Sequence, residues 1–254
     1  ATLLSCDFSN IYVDNCSDQG VYAIEPSASY SGYFGKHNIR LAEVHHCGVA
    51  VAWSCAATHW STVDVGVIHR AHGHAVSLYK GSRVRVRSTV AGCNTTNVNG
   101  AGVTVGAGFS KWRVDGLTVE QGDSAYPPNR GVVVADGSTD FVIEGLSCKD
   151  CGKDVDDQTG TADKRIAPWK TDKSAPAIAA AATVTFPEFH TFVIPGASTV
   201  TAISGRAWEG REVTFITNGG AVPFPAGTTI GNTFTPTANV PVRAPYLWGT
   251  GWVR

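Results

Sequence analysis

The chain contains 254 residues, of which 43% are hydrophobic and 16% are charged, and its formal net charge is −1. The charged share lies below the usual value of about 25% and glycine is abundant, with 28 residues, which favours an all-β protein with many tight turns. The near-zero net charge gives no general attraction to nucleic acid or to anionic membranes. No apolar run reaches the roughly 18 residues of a membrane-spanning helix. We therefore expect neither a nucleic-acid partner nor membrane insertion.

Methionine is absent, even at position 1, and the chain has seven cysteines. We expect the chain to begin inside a longer protein or to be processed. An odd number of cysteines excludes a framework made of disulfides alone. The strand pattern places several of them in a core, where a reduced thiol packs as a small apolar group.

Residues 1–152 contain a repeat of short strands. The stretch "NIYVDNCSDQGVYAI" (10–24) aligns without a gap on "NIRLAEVHHCGVAVA" (38–52), and further copies start at Val63, Val84, Trp112 and Phe141. The spacing of 21 to 29 residues is too short for propeller blades of about 40 residues, and the leucine and asparagine ladder of leucine-rich repeats is missing. The pattern predicts a right-handed parallel β-helix of pectin-lyase-like type, with roughly six coils stacked about 4.8 Å apart.

Alternation along the first strand of each coil assigns side chains to the two faces of the wall. The predicted inward stacks are Ile11, Ile39, Val63, Val84, Trp112, Phe141 and Val13, Leu41, Val65, Val86, Val114, Ile143. A further core stack is predicted to contain Cys16, Val44, Ile68, Leu117 and Leu146. The predicted outward rows are Tyr12, Arg40, Asp64, Arg85, Arg113, Val142 and Asp14, Ala42, Gly66, Arg87, Asp115, Glu144.

The repeat pattern ends near residue 152. Residues 153–182 open on a charged, aperiodic stretch that predicts a linker or irregular segment. Residues 183–254 show short alternating strands with Gly and Pro turns, which predict a small antiparallel β-sandwich. In the final stretch "YLWGTGWVR" (246–254), Trp248 and Trp252 are expected to pack inside this unit or against a neighbouring chain.

The C-terminal stretch resembles a module of bacteriophage tailspikes and related tail-fibre depolymerases. The matching segments are "STVTAIS" (198–204), "GREVTFIT" (210–217), "NGGAVPFPAGTTI" (218–230), "FTPTAN" (234–239) and "GTGWVR" (249–254). The resemblance covers about the last 60 residues. A parallel β-helix followed by such a module is also the common build of tailspikes.

This resemblance implies a homotrimer of side-by-side helices with the C-terminal module as its clamp. It also implies a place in the virion tail and a bacterial surface polysaccharide, capsule or O-antigen, as the partner. The polysaccharide would lie on the helix face or in a groove between subunits.

Carboxylates on the outward rows are the candidate catalytic residues. Asp115 and Glu144 are predicted one coil apart in one row, so their carboxyl groups could lie about 5 Å apart, the separation of a retaining glycosidase. Glu120 lies further along the same coil as Asp115. A lyase reaction using His or Tyr remains open if the glycan contains uronate.

Arginines and loop aromatics are the candidate substrate-binding residues. Arg85, Arg87 and Arg113 could hold the carboxylates of an anionic glycan, and Tyr33 and Tyr126 on loops could stack on sugar rings. The alternative is that the arginines and acids form an ion-pair ladder between subunits, and that the aromatics fill the trimer axis.

Histidines and cysteines give no strong metal motif, and no metal or cofactor is predicted. His45 and His69 are expected to stack one coil apart on the surface, either as plain surface residues or as metal ligands or a base. Cys148 and Cys151 form a CxxC pair without a partner pair, which favours packing over zinc or redox chemistry.

Three functions fit these patterns. The first is a phage tailspike fragment that recognises and depolymerises a bacterial surface polysaccharide. The second is a non-catalytic trimeric receptor-binding or structural appendage of a phage tail. The third is a secreted pectinase-like enzyme, against which the C-terminal resemblance argues.

Overall fold

The structure is a computed structural model that describes residues 4–24, 34–96, 99–161, 163–167, 169–171, 177, 181–186, 191–195, 198–204, 211–218, 222–227, 229–247 and 250–254. These residues form strands, turns and bends and no helix, which confirms the all-β prediction. Within them there is accordingly no helix that is long and apolar enough to cross a membrane. The chain divides into two units, residues 1–164 with 169–172 and residues 165–168 with 173–254.

Eighteen strands are defined among the described residues. Those of the first unit are β1 (Leu4–Asp14), β2 (Gln19–Ile24), β3 (Phe34–His45), β4 (Val49–Ala71), β5 (Val76–Cys93), β6 (Ala101–Val105), β7 (Ser110–Glu120), β8 (Arg130–Val134), β9 (Thr139–Cys148), β10 (Lys153–Asp157) and β12 (Lys170–Thr171). The others are β11 (Lys164–Ile166), β13 (Thr183–Thr185), β14 (Thr191–Pro195), β15 (Ala202–Ser204), β16 (Glu212–Asn218), β17 (Val242–Leu247) and β18 (Gly251–Trp252).

The first unit is a parallel β-solenoid of about six turns, as the repeat predicts. One wall pairs β1, β3, β4, β5, β7 and β9 in parallel, and a second pairs β2, β4, β5, β6, β8 and β10. Strands β4 and β5 are 23 and 18 residues long and run from one wall into the next. Because every coil repeats the same path, side chains of equivalent positions stack into rows along the solenoid.

Apolar rows fill the interior of the solenoid. Val51, Val76, Val103, Val132 and Val155 form a row that is at most 3% exposed. On the other wall the Trp112 and Phe141 rings stack at 4.5 Å between centroids, which the predicted inward stack of these two residues anticipates.

Two registers differ from the sequence prediction. In the first coil, Phe8 pairs with Ile39 and Val13 with Val44, so Ile11 is 36% exposed instead of sharing the stack of Ile39. Cys16 is half-buried near the end of the coil and is not in the stack of Val44. Between β4 and β5, Val63 pairs with Val86, two residues later than predicted. The rows are consequently Val44–Ile68–Val90–Val119–Cys148 and Leu41–Val65–Ser88–Leu117–Leu146.

The segment expected to be irregular from residue 153 begins with a further coil. Strand β10 pairs with β8, and β12 pairs with β9. The acidic residues that hid this strand in the sequence are held by internal partners: Asp154 accepts from Trp169 Nε1 at 3.0 Å and Asp157 from Lys164 Nζ at 2.6 Å. The acidic residues of this stretch are therefore buried with polar partners, and their charge does not indicate a linker.

The second unit contains a mixed sheet and a two-stranded sheet. In the first, β14 and β16 are parallel while β16, β17 and β18 are antiparallel, and in the second β13 and β15 are parallel. The pairing therefore departs from the purely antiparallel sandwich expected. Phe186, Phe192, Phe215, Phe224 and Trp252 form the aromatic part of its buried core. Trp248 and Gly249 lie outside the described residues.

Candidate functional site

A row of charged side chains lies on the outside of the wall formed by β3, β4, β5, β7 and β9. Strand pairing aligns Arg40 with Asp64, Asp64 with Arg87, and Asp115 with Glu144. Val86 pairs with Val114, and Arg87 and Asp115, the next residues on the two strands, lie beside each other. A second row beside it aligns Thr62, Arg85, Arg113 and Val142. We call the two rows the charged face, comprising Arg40, Asp64, Arg85, Arg87, Arg113, Asp115 and Glu144.

Two carboxylates of the charged face, Asp115 and Glu144, are held by its arginines. Arg87 donates from Nε to the Asp115 backbone oxygen at 3.2 Å, and its Nη2 lies 3.5 Å from Asp115 Oδ2. Arg85 Nε lies 3.7 Å from the same carboxylate oxygen. Arg113 Nη2 donates to Glu144 Oε1. This hydrogen bond raises the pKa of Arg113.

Two of the arginines are more exposed than the acids. Side chains of Arg85 and Arg87 are 44% and 53% exposed, whereas those of Asp115 and Glu144 are 27% and 25% exposed. Arg113 is intermediate at 33%, and its Nε is buried. The guanidinium groups of Arg85 and Arg87 are therefore the more accessible charges of the charged face.

The structure brings Asp115 and Glu144 together, as predicted, and separates Glu120 from them. Asp115 and Glu144 are paired across adjacent coils. Gly116 and Gly145 follow them with φ values of +83° and +64°, and these residues turn the chain before the next strand segment. Glu120 lies beyond that bend, paired with Ala91. It therefore belongs to a different part of the wall from the two acids.

A further set of residues borders the charged face at the preceding corner of the coil. Pairing of Ser61 with Val84, Ser82 with Ser110 and Ser110 with Thr139 places Trp60, Arg83, Lys111 and Asp140 in one row. Trp60 is 48% exposed. Arg83, Arg85 and Arg87 occupy alternate positions in the sequence, which indicates that Arg83 lies beside the other two. The predicted strand starts at Val84 and therefore does not include Arg83.

The predicted aromatic ligands have different outcomes. Tyr126 is 43% exposed in the turn between β7 and β8. Tyr33 lies outside the described residues. Neither residue can be assigned to the charged face from these contacts, whereas Trp60, which the sequence analysis did not select as a ligand, borders it.

Two side-chain clusters have metal-ligating composition. Glu43, His45 and His69 offer ligand atoms within 4.8 Å of one another and are half-buried. The His45 and His69 rings stack at 4.5 Å, as predicted. Cys148, Cys151 and Asp154 form the other cluster and are buried. Their thiols point at backbone oxygens 3.7 to 3.9 Å away, and Asp154 is held by Trp169, so this cluster is accounted for as core.

Comparisons with known proteins found no relationship. No protein-family model matches the sequence, and no significant match was found among curated proteins or solved structures.

Proposed function

We propose that the chain is a receptor-binding fragment of a bacteriophage tailspike whose charged face binds an acidic polysaccharide of the bacterial surface. The supporting observation is that Arg85 and Arg87 are about half exposed, whereas Asp115 and Glu144 beside them are about one quarter exposed. Guanidinium groups are planar and bind carboxylates or phosphates through two parallel hydrogen bonds. Arg85 and Arg113 lie on adjacent coils, with Arg87 on the same strand as Arg85, and together offer these groups to a chain molecule that repeats its negative groups.

The rest of this assignment rests on the resemblance of residues 198–254 to tailspike modules. On that ground we propose a homotrimer and a location in the virion tail. A solenoid wall is compatible with such a trimer, because its rows continue from coil to coil and offer a long surface to a second subunit.

Trp60, an exposed aromatic residue beside the charged face, offers a second kind of contact to a sugar. Trp60 is 48% exposed at the corner of the coil, two residues before Thr62, which pairs with Arg85. Flat aromatic faces pack against the apolar faces of sugar rings and hold them by area burial. Arginines would then select the acid groups and Trp60 would hold the ring.

Binding to an array of purified capsular and O-antigen polysaccharides tests the proposal. The wild-type chain is expected to bind acidic polysaccharides and not neutral ones. The double variant Arg85→Gln/Arg87→Gln is expected to bind roughly tenfold or more weakly, since a hydrogen bond to a charged group contributes about 1.5–3 kcal/mol. Arg70→Gln is the matched control, because Arg70 is 45% exposed and ion-paired to Asp123 but lies off the face.

Glycoside hydrolysis by Asp115 and Glu144 is a second candidate function. Its support is the pairing of the two residues on adjacent coils, where strands lie about 4.8 Å apart, close to the separation that a retaining hydrolase requires. Arginines hold an oxygen of each acid, Asp115 Oδ2 and Glu144 Oε1, whereas a hydrolase needs both carboxyl groups directed at the glycosidic bond. The contacts thus favour binding over cleavage.

Release of reducing ends from a bound polysaccharide separates the two functions. A hydrolase would release them, and Asp115→Asn and Glu144→Gln would abolish the release while Asp123→Asn, the matched acid outside the face, would not. A binding protein releases none. Equal release by the wild type and both variants would remove these residues from catalysis.

A further inference from the structure

Glu43, His45 and His69 form a compact cluster on the wall, beyond the bend that follows the charged face. His45 Nε2 lies 2.9 Å from Glu43 Oε2. The His45 and His69 rings stack with 4.5 Å between centroids and 24° between planes. One ligand atom from each of the three residues lies within 4.8 Å of the other two.

The backbone fixes this arrangement. Glu43 and His45 are two residues apart on β3, so their side chains leave the same face of the strand. His69 is the residue paired with His45 on β4. The three donors therefore come from two directly hydrogen-bonded strands in the interior of the wall and need no loop to bring them together.

The spacing fits a tetrahedral cation site. Bonds of about 2.0–2.1 Å from zinc to nitrogen or oxygen place neighbouring tetrahedral ligands roughly 3.3 Å apart. The Nε2–Oε2 separation of 2.9 Å is within a few tenths of an ångström of that value. The His69 donor atom lies within 4.8 Å of the other two, and because its ring stacks on that of His45, the ring must rotate to bring a nitrogen to the same centre.

Local charge also favours a cation. Asp14, the residue paired with His45 on β1, adds a second carboxylate, with Oδ1 3.3 Å from His46 Nδ1. The nearest arginine in sequence, Arg70, donates to Asp123 Oδ2 at 2.9 Å, so its charge is compensated. The side chains of His45 and Glu43 are 34% and 43% exposed, which leaves the cluster accessible to an ion.

We propose that Glu43, His45 and His69 bind Zn²⁺ and leave its fourth position open to water or an oxygen ligand. Two imidazoles and one carboxylate are a ligand set that zinc accepts with three protein donors. Mg²⁺ and Ca²⁺ prefer all-oxygen surroundings, so they are excluded by the two histidines. The bound ion would also link β3 to β4 and stabilise these coils by mass action. This site is independent of the polysaccharide proposal.

Equilibrium dialysis of tag-free protein against ZnCl₂, with MgCl₂ in a parallel chamber, tests the site. We expect one Zn²⁺ per chain, no Mg²⁺, and a rise in melting temperature with zinc. His69→Ala and Glu43→Gln are each expected to weaken zinc binding by about tenfold or more, since even loss of an outer-shell partner typically costs 10–100-fold. His69→Gln, with its fold checked by circular dichroism, replaces His69→Ala if that variant does not fold.

Two control variants separate this cluster from other donors. His72→Ala removes a nearby histidine that is not in the cluster, and Cys148→Ser/Cys151→Ser removes the thiols of the buried cluster. Both are expected to retain full zinc binding. Co²⁺ bound to the wild type is expected to lack the intense near-ultraviolet absorption that thiolate ligands give.

Three results would overturn the proposal. They are the absence of saturable zinc uptake, uptake that His69 variants leave unchanged, and uptake that disappears in the cysteine variant. The last result would assign the zinc to the Cys148, Cys151 and Asp154 cluster instead.

Discussion

Asp157 is a carboxylate whose ionised form is built into the last coil of the solenoid. Its Oδ2 accepts a hydrogen bond from Lys164 Nζ at 2.6 Å, and its Oδ1 accepts from the backbone nitrogen and the hydroxyl of Thr159. Both side chains of the ion pair are 3% exposed. Burial acts to raise the pKa of Asp157, but the bonds from Lys164 and Thr159 outweigh it and the pKa is lowered.

Asp157→Asn is expected to lower the free energy of unfolding by roughly 3–5 kcal/mol at pH 7, because it leaves the Lys164 charge buried without its partner. Since the folded pKa lies below the ordinary value of 3.8, the stabilisation is fully present above about pH 4 and is lost as pH falls through the folded pKa. Urea unfolding at pH 7 and at pH 3 measures the difference between wild type and variant, which should shrink at the lower pH.

The control for this prediction is Asp140→Asn. Asp140 is exposed, so its replacement is expected to change the unfolding free energy by less than about 0.5 kcal/mol. A loss in Asp157→Asn no larger than that of the control would contradict the interior role of the ion pair.

At the scale of the element, glycines set the bend between the charged face and the rest of the wall. Gly145 has a φ of +64°, and a Cβ placed there would lie 3.0 Å from the Gly116 backbone nitrogen in the coil below. Gly108 has a similar φ of +74°, but a Cβ there would meet no atom within 4 Å. The two positions therefore share backbone strain and differ in available space.

Gly108→Ala is expected to cost roughly 1–2 kcal/mol, the strain of a left-handed residue with a Cβ. Gly145→Ala is expected to cost at least about 1 kcal/mol more, because its methyl group also forces adjacent coils apart. Chemical denaturation of both variants measures the difference. Equal losses would show that the coils can separate at this bend without cost.

Register was the part of each element that the sequence could not determine. The apolar alternation assigned inward and outward faces correctly along β7 and β9, where Trp112 pairs with Phe141 and Asp115 with Glu144. A shift by two residues preserves that alternation, so the periodicity could not distinguish pairing of Val63 with Val84 from the observed pairing with Val86. The irregularity between the Ala56–Ser82 and Ser61–Val84 pairs, ahead of Val63, sets this register, and the bulge near Gly66 then shifts it by one further residue.

The shift by two residues changes the electrostatics of the charged face. In the predicted register Arg40, Asp64 and Arg85 shared a row, followed by Arg113 with the same sign of charge. In the structure Asp64 pairs with Arg87, which in turn contacts Asp115, so charges alternate along four coils. Alternating charges on adjacent strands attract and stabilise the stack. The sequence thus placed these charged residues on the outer face and paired Asp115 with Glu144, but it did not pair Asp64 with Arg87.

On the scale of the whole molecule, the solenoid was predictable because each coil repeats its pattern, whereas the second unit has no repeat to align. Its strands were found approximately, but parallel pairing of β14 with β16 joins segments that no local pattern connects. Trp252, expected to pack inside this unit or against a neighbouring chain, lies in the core of the unit. It is 2% exposed, its ring lies 4.9 Å from that of Phe186, and the Arg211 guanidinium lies 5.4 Å from its centre.

Deletion of residues 246–254 is expected to unfold the second unit and abolish the proposed trimer before it affects polysaccharide binding. Loss of Trp252 alone removes a large core side chain, a change that typically costs about 3–5 kcal/mol. Sedimentation equilibrium of the full chain and the deletion variant tests this. A monomeric full chain, or a deletion variant that stays trimeric, would contradict the role of this segment in assembly.

The most direct test of the central claim is a crystal structure of the chain with an acidic oligosaccharide taken from the polysaccharide that it binds. We expect the oligosaccharide to lie along the charged face, with its acid groups on Arg85, Arg87 and Arg113 and a ring near Trp60. An oligosaccharide bound elsewhere, with the charged face covered by a second copy of the chain, would contradict polysaccharide binding by this face and assign the arginines to subunit contact.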